Sequence, residues 1–523
     1  MIDMIDMIGN RTMPDLLAER VEQHPDAAWL VFEERDGEVS TLTYQQFARH
    51  VDRVAAGFAA LGVGRGDAVV VHLRNCPEFL ISWFGLAALG AVMVPSNVAN
   101  TTVELEHLVT HSEAVAVVTE GDYLPLFQQL ESEADDQLTL VLARTDPLPE
   151  GVIGFHSLLQ THGRAPQPEL DSEDIVEMIF TSGTTAKPKA VLLTHANALH
   201  SGERIARGVG LGEGDRCLTA LPVFHVNAQS VTVLAAMTAA GTCVLLEEFR
   251  ASRYWEQIRR HRATQTSMVA MQVRTMLAQP PQDGDRDHSL RRVVFAINVT
   301  DAEKETFEDR FGVRFLNAYG LSEAMTLVTL SPLFGRQRWP SIGLPALGRT
   351  VRIVDPDGTD VPKGDVGEIL VGGTPGRTLM KGYYRDPDAT AATLRDGWLH
   401  TGDHGYADKE GYLYFFDRKK DVIKRAGENV SASEVEAALV QHPGIAEAAV
   451  IGVVDPVRDE AVKAFVVLES GHDVTIEEIR QHCAQRLASF KIPTLVEVVP
   501  DLPKTSIGKI EKKVLRAREE EFG

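Results

Sequence analysis

TLTYQQFARHVDRVAAGFAALGV, residues 41–63, runs through GRGDAVVVHL (64–73) into NCPEFLISWFGLAALG (75–90) and AVMVP (91–95). The first segment carries apolar residues at helical spacing and ends in glycine, which predicts an amphipathic helix with a C-terminal stop. DAVVVHL is a short, continuous apolar run and reads as a buried strand. The next two segments read as a helix and a strand, and ELEHLVTHSEA (104–114) with VAVVT (115–119) repeats the pair. Strands alternating with helices imply a parallel, doubly wound sheet.

The rhythm returns further along. GTCVLLEEF (241–249), TSMVAM (266–271), RRVVFAI (291–297) and VRFLNAYG (313–320) read as strands. YWEQIRRH (254–261) and the residues around 301–311 read as helices between them, so two α/β halves are expected. Near 340 the texture changes. VRIVDPDGTDVPKGDVGEILVGG (351–373) and WLHTGDHGYADKEGYLYFFDR (398–418) are paired apolar runs around DG, KG and DKEG turn signals, which predicts antiparallel hairpins forming a small barrel-like part. Beyond the basic run DRKKDVIK (417–424) it changes again. SASEVEAALVQHP (431–443) and TIEEIRQHCAQRLASF (475–490) predict helices with Ser and Thr N-caps, and AEAAVIGVV (446–454) and AVKAFVVLE (461–469) predict strands. The expected fold is therefore α/β: a large N-terminal domain over 1–419, made of two doubly wound halves and the barrel-like part, and a small α+β C-terminal domain over 420–523.

At 523 residues the chain is too long for one compact domain, and its 44% hydrophobic content lets each domain bury a core without staples. The formal charge of −22 opposes nucleic acid and anionic lipid as partners. Any phosphate site must then be local, built from a few cations and backbone N–H groups. The four cysteines, Cys76, Cys217, Cys243 and Cys483, are widely spaced, which indicates neither a zinc site nor a disulfide framework. FLISWFGLAALGAVMVP (79–95) is too short to span a bilayer, and MIDMIDMIGN lacks the basic start of a signal peptide, so a cytoplasmic protein is expected.

TSGTTAKPKA (181–190) holds four hydroxyls, a glycine and two lysines in ten positions. It is not a Walker A loop, and it lies between two strand-like runs, EMIF and VLLTH. Hydroxyls, exposed N–H groups and lysine suit a phosphate chain, but the same composition fits a solvated hairpin tip. Four further segments narrow the reading. AYGLSE (318–323), TGD (401–403), DRKKDVIKRAGENVSASEVE (417–436) and LPKTSIGKIEKKVLR (502–516) stand in this order along the chain. Together with the first they resemble the motifs of the adenylate-forming superfamily: TSGTTGxPKG, YGxTE, TGD, GRxKDxIxxxGxNIxPxEIE and LPKTxxGKIxRxxLR. The superfamily includes acyl-CoA synthetases, peptide-synthetase adenylation domains and luciferases.

The resemblance implies a two-step reaction with ATP, Mg²⁺ and coenzyme A. A carboxylate attacks the α-phosphate, releasing pyrophosphate and leaving an acyl-adenylate; a thiol then takes the acyl group and AMP leaves. It implies that Thr181, Ser182, Gly183, Thr184, Thr185 and Lys189 hold the phosphates, and that Glu323 with Thr184 meets Mg²⁺, a hard cation suited to oxygen ligands. Tyr319, Gly320 and Ser322 would line the nucleotide site, with the Tyr319 ring offered to adenine. Asp403 would accept the ribose hydroxyls and Arg418 would reach the ribose or a phosphate. Lys509 would stabilise charge building at phosphorus during adenylation. Lys420 falls on the hinge of a mobile C-terminal domain, and Gly427 in RAGEN (425–429) would line the path of the thiol. In LPVFHVNAQSVT (221–232), His225 resembles an aromatic gate, and Val226 and Gln229 would wall the acyl pocket.

Two departures stand out. Ala186 and Ala190 replace glycines, at a cost on the order of 1 kcal/mol if position 186 needs positive φ. In FAINVTDAE (295–303), Ile297 and Asn298 stand where the family shows a glycine-rich pocket floor, so the pocket is expected to be reshaped. With no lysine or arginine in 221–232 or 295–300, the expected substrate is an apolar, aromatic or bulky acid. The resemblance leaves other acceptors open: a carrier protein acting in trans, an amine or another nucleophile. It also leaves open an unusual oxyanion as substrate, a catalytically dead homologue, and a homodimeric state.

Overall fold

The computed structural model describes residues 6–131, 138–181, 188–296, 299, 301–418, 422–503, 510 and 512–522. Two large sheets form the N-terminal domain. One runs in the order Gly382–Tyr383, Lys189–Thr194, Ile175–Thr181, Val92–Pro95, Ala68–His72, Ala114–Glu120, Thr139–Ala143, Ile153–Gly154. The other runs Leu344–Pro345, Thr326–Leu330, Phe315–Leu321, Arg292–Ala296, Gln265–Val269, Arg216–Thr219, Thr242–Leu246, Ala28–Glu33, Val39–Thr43. Both are parallel in the middle, as the alternation predicts. Both also carry antiparallel strands at one or both edges. The reason is connection length: strands joined by short links such as 34–38 return as hairpins, because a parallel return needs a crossover.

The helix Tyr44–Ala60 shows how the sequence sets these layers. Thr43 and Gln46 form a reciprocal capping box at its start, and Tyr44, Phe47, Val51, Val54, Ala55 and Phe58 are its buried stripe. It packs on the helix Pro77–Leu89, which is buried on nearly every side, with Phe79, Leu80, Trp83 and Phe84 in the core. Each such side chain contributes roughly 1.5–3 kcal/mol on burial. Among the described residues no helix is long and apolar enough to cross a membrane. The four cysteines are buried free thiols, and burial pushes Cys243 up to about 12 and Cys483 up to about 11.

The hairpins of 350–418 form a five-stranded antiparallel sheet, where the sequence predicts the barrel-like part. The last sheet, from Val422–Arg425, Glu428–Ser431, Asp459–Leu468, Ile445–Asp455 and Leu495–Val498, has its own core around Val435, Val450, Val462 and Ile479. The helix expected over 475–490 covers only Ile476–Ala484, capped by Thr475 as predicted. The chain then turns, burying Leu487 and Ala488 and carrying Lys491 across to the other domain. There the Lys491 ammonium lies 2.7 Å from Glu104 and 2.9 Å from Glu434. Burial opposes that charge, but the two carboxylates outweigh it and hold the lysine pKa above its ordinary value.

Candidate active site

A cavity of about 1430 Å³ opens between the two large sheets, the antiparallel sheet and the C-terminal domain. The strands Ile175–Thr181 and Lys189–Thr194 pair antiparallel with Thr181 opposite Lys189, and both residues line the cavity. The loop between them, with Ser182, Gly183, Thr184, Thr185 and Ala186, lies outside the described residues. Ala190 is buried in an extended strand opposite Phe180, so a side chain there costs nothing.

The strand Phe315–Leu321 brings Tyr319 and Gly320 to the cavity, and a tight turn then presents Ser322 and Glu323. Gly320 tolerates no side chain, because a Cβ would collide with the Thr326 carbonyl. The Tyr319 hydroxyl donates to Asp403 Oδ2 at 2.6 Å, and the backbone N–H of Asp403 donates to Thr401 Oγ1 at 3.0 Å. This bond occupies one oxygen of the carboxylate expected to take both ribose hydroxyls. Arg418 stands opposite Asp403 in strand register. Glu323 Oε1 accepts from the Tyr383 hydroxyl at 2.9 Å, and its backbone carbonyl accepts from Met380 N–H at 2.7 Å.

His225 and Val226 line the opposite wall. The His225 Nε2 lies 2.9 Å from Glu428 Oε2, a contact that joins the N-terminal domain to the segment following Gly427. Burial disfavours the imidazolium, but the Glu428 carboxylate outweighs it, so the His225 pKa is raised and that of Glu428 lowered. Gly427 has φ +86°, and a Cβ there would lie 3.3 Å from Val269 Cγ2. Gln229 is not at the cavity wall. It is fully buried in the π-helical segment Ala228–Leu234 and donates to Glu177 Oε1 at 2.6 Å. A π-helical turn shifts which side chains share a face, and the pattern of 221–232 gave no sign of it.

Ile297, Asn298, Lys420 and Lys509 lie outside the described residues. Among the wall residues not singled out from sequence are Tyr383, Glu428 and Lys491. Tyr383 sits in KGYYRDP, which has no periodicity to mark it, and the other two gain their meaning only from contacts between domains.

A model of the AMP-binding enzyme family matches residues 17–384, and that of its C-terminal domain matches 434–509. The chain belongs to the AMP-binding enzyme family. It is an adenylate-forming ligase with the large and small domains of that class. The crotonobetaine/carnitine–CoA ligases of Escherichia coli and Citrobacter koseri are each 40% identical to it over 517 residues, covering 98% of this chain and all of theirs. Among solved structures, a double mutant of the o-succinylbenzoate CoA synthetase of Bacillus subtilis with its product analogue OSB-NCoA superposes with a TM-score of 0.85 at 28% identity, covering 97% of this chain and 98% of that one. The same enzyme with the acyl-adenylate OSB-AMP gives 0.69 at 27% identity, covering 97% and 98%.

Proposed function

We propose that the protein is an ATP- and Mg²⁺-dependent carboxylic acid–CoA ligase that works through an acyl-adenylate. The observation that carries this reading is the convergence of Thr181, Lys189, Glu323 and the Tyr319–Asp403 pair on one cavity, with His225, Gly427 and Glu428 on its other side. Adenylation needs donors for a phosphate chain, an acceptor for the ribose and a cation for charge developing at phosphorus. Lys189 and Thr181 take the phosphates with Ser182, Gly183, Thr184 and Thr185, Asp403 takes the ribose with Arg418, and Lys509 supplies the cation. Glu323 is a carboxylate at the cavity wall, chemistry that fits a hard divalent cation arriving with the nucleotide, and Thr184 would complete that site. When bound, Mg²⁺ neutralises charge on the phosphate oxygens.

The thiol step is supported by the other wall. Gly427 leaves room beside Val269 for a narrow arm, and the His225–Glu428 bond draws the gate side chain toward the C-terminal domain. The higher superposition score on the product-analogue complex supports the thioester-forming arrangement for the structure described here. Lys420 serves as the hinge, at the boundary between domains 1–419 and 420–523, and the enzyme works in the cytoplasm.

The described acyl wall includes Val226, Val294, Ala296, Ala318 and Leu327, which favours an acid whose body is apolar, aromatic or bulky. The names of the relatives add crotonobetaine and carnitine to the acids to be tried. Pyrophosphate release across such a panel, with and without CoA and with products identified by mass, tests the reading. Acyl-CoA formation with one class of acid is expected. Release that stops at the adenylate in the presence of CoA would contradict it.

A further inference from the structure

One side chain touches both groups assigned to the phosphate chain. The Tyr383 hydroxyl donates to Glu323 Oε1 at 2.9 Å, and the Lys189 ammonium lies over the Tyr383 ring, 4.9 Å from its centroid. The backbone fixes the tyrosine between them. Gly382–Tyr383 pairs antiparallel with Lys189–Thr194, placing Tyr383 opposite Val191 and Gly382 opposite Leu192. The Tyr383 N–H donates to Thr390 Oγ1 at 2.9 Å, and the Tyr384 N–H donates to the Ala190 carbonyl at 2.8 Å. On the other side, Met380 is tied to the Glu323 carbonyl at 2.7 Å.

We propose that Tyr383 is a positioning residue that sets Glu323 and Lys189 at a fixed separation before nucleotide binds. The carboxylate and the ammonium then meet the triphosphate and its metal as a preset pair. Both groups sit on long side chains, which would otherwise lose rotamer freedom on binding; the tyrosine removes part of that loss in advance. The two contacts use different parts of the residue. The hydroxyl holds the carboxylate, and the ring face holds the lysine by its negative quadrupole. The inference rests on the roles proposed above for Glu323 and Lys189.

The two parts can be removed separately in the full-length protein, using the unreactive analogue α,β-methylene-ATP as probe. Tyr383→Phe keeps the ring and loses the hydroxyl. It is expected to raise the Mg²⁺ concentration for half-maximal analogue binding about tenfold or more, the loss of one hydrogen bond to a charged group, and to leave binding in EDTA unchanged. Tyr383→Leu also removes the ring, and is expected to weaken binding in EDTA by about threefold as well. AMP, which lacks the β- and γ-phosphates, should bind both variants as it binds the wild type. Wild-type Mg²⁺ dependence in Tyr383→Phe would overturn the proposal. AMP affinity falling in step with analogue affinity would also overturn it, by showing a merely structural role. Glu323→Gln is the reference: if it too keeps the wild-type Mg²⁺ dependence, the assignment of Glu323 itself fails.

Discussion

Glu177 is fully buried on the strand Ile175–Thr181, and its partner is Gln229. Burial pushes its pKa from 4.5 to about 8, with the Gln229 hydrogen bond offsetting part of the rise. The folded state therefore holds a proton that the unfolded chain releases above 4.5. Stability falls as pH rises from 4.5 through about 8, by an amount on the order of a few kcal/mol. Glu177→Gln keeps the shape and removes the titration, so its melting temperature should match the wild type near pH 4 and exceed it increasingly toward pH 8. Parallel melting curves across that range would contradict the assignment. His225 behaves in the opposite sense. Its raised pKa means that the ion pair with Glu428 is complete below 6.5 and is lost as pH rises through the folded value. Glu428→Gln removes the countercharge, so the imidazole pKa should fall relative to the wild type in an NMR titration. An unchanged titration would mean that Glu428 does not set the charge of His225.

At the scale of elements, much of the fold is legible in the sequence because local periodicity fixes it. The helix Tyr44–Ala60 announces itself by its apolar stripe and its Thr43–Gln46 cap, and the 181–189 hairpin by the two strands beside its hydroxyls. Long-range pairing is not legible. Ala28–Glu33 joins the sheet of the second half beside Thr242–Leu246, more than two hundred residues away, and no local signal encodes that. The two-residue strand Gly382–Tyr383 is too short to show a period, yet it brings Tyr383 between Glu323 and Lys189 at the cavity wall. The turn at Gly427 is legible as a glycine, but its reason is tertiary: positive φ combined with the Val269 side chain. Gly427→Val should therefore strain the turn by about 1–2 kcal/mol and slow transfer from supplied acyl-adenylate to CoA about tenfold. Adenylate formation should be little changed. Equal loss in both half-reactions would place the turn outside the path of the thiol.

Across the whole molecule, the cavity belongs to neither domain alone. Lys491 reaches Glu104, Arg274 reaches Asp459 at 2.5 Å, and His225 reaches Glu428, so the C-terminal domain is held by charges that the N-terminal domain supplies. An acyl-adenylate route requires that one acid oxygen become bonded to phosphorus before sulfur reaches the acyl carbon. The most direct measurement uses an acid found active in the panel, labelled with heavy oxygen in its carboxylate, and follows the label by mass spectrometry after turnover with ATP and CoA. One labelled oxygen is expected in AMP and none in pyrophosphate. AMP without label, or label in pyrophosphate or inorganic phosphate, would contradict it.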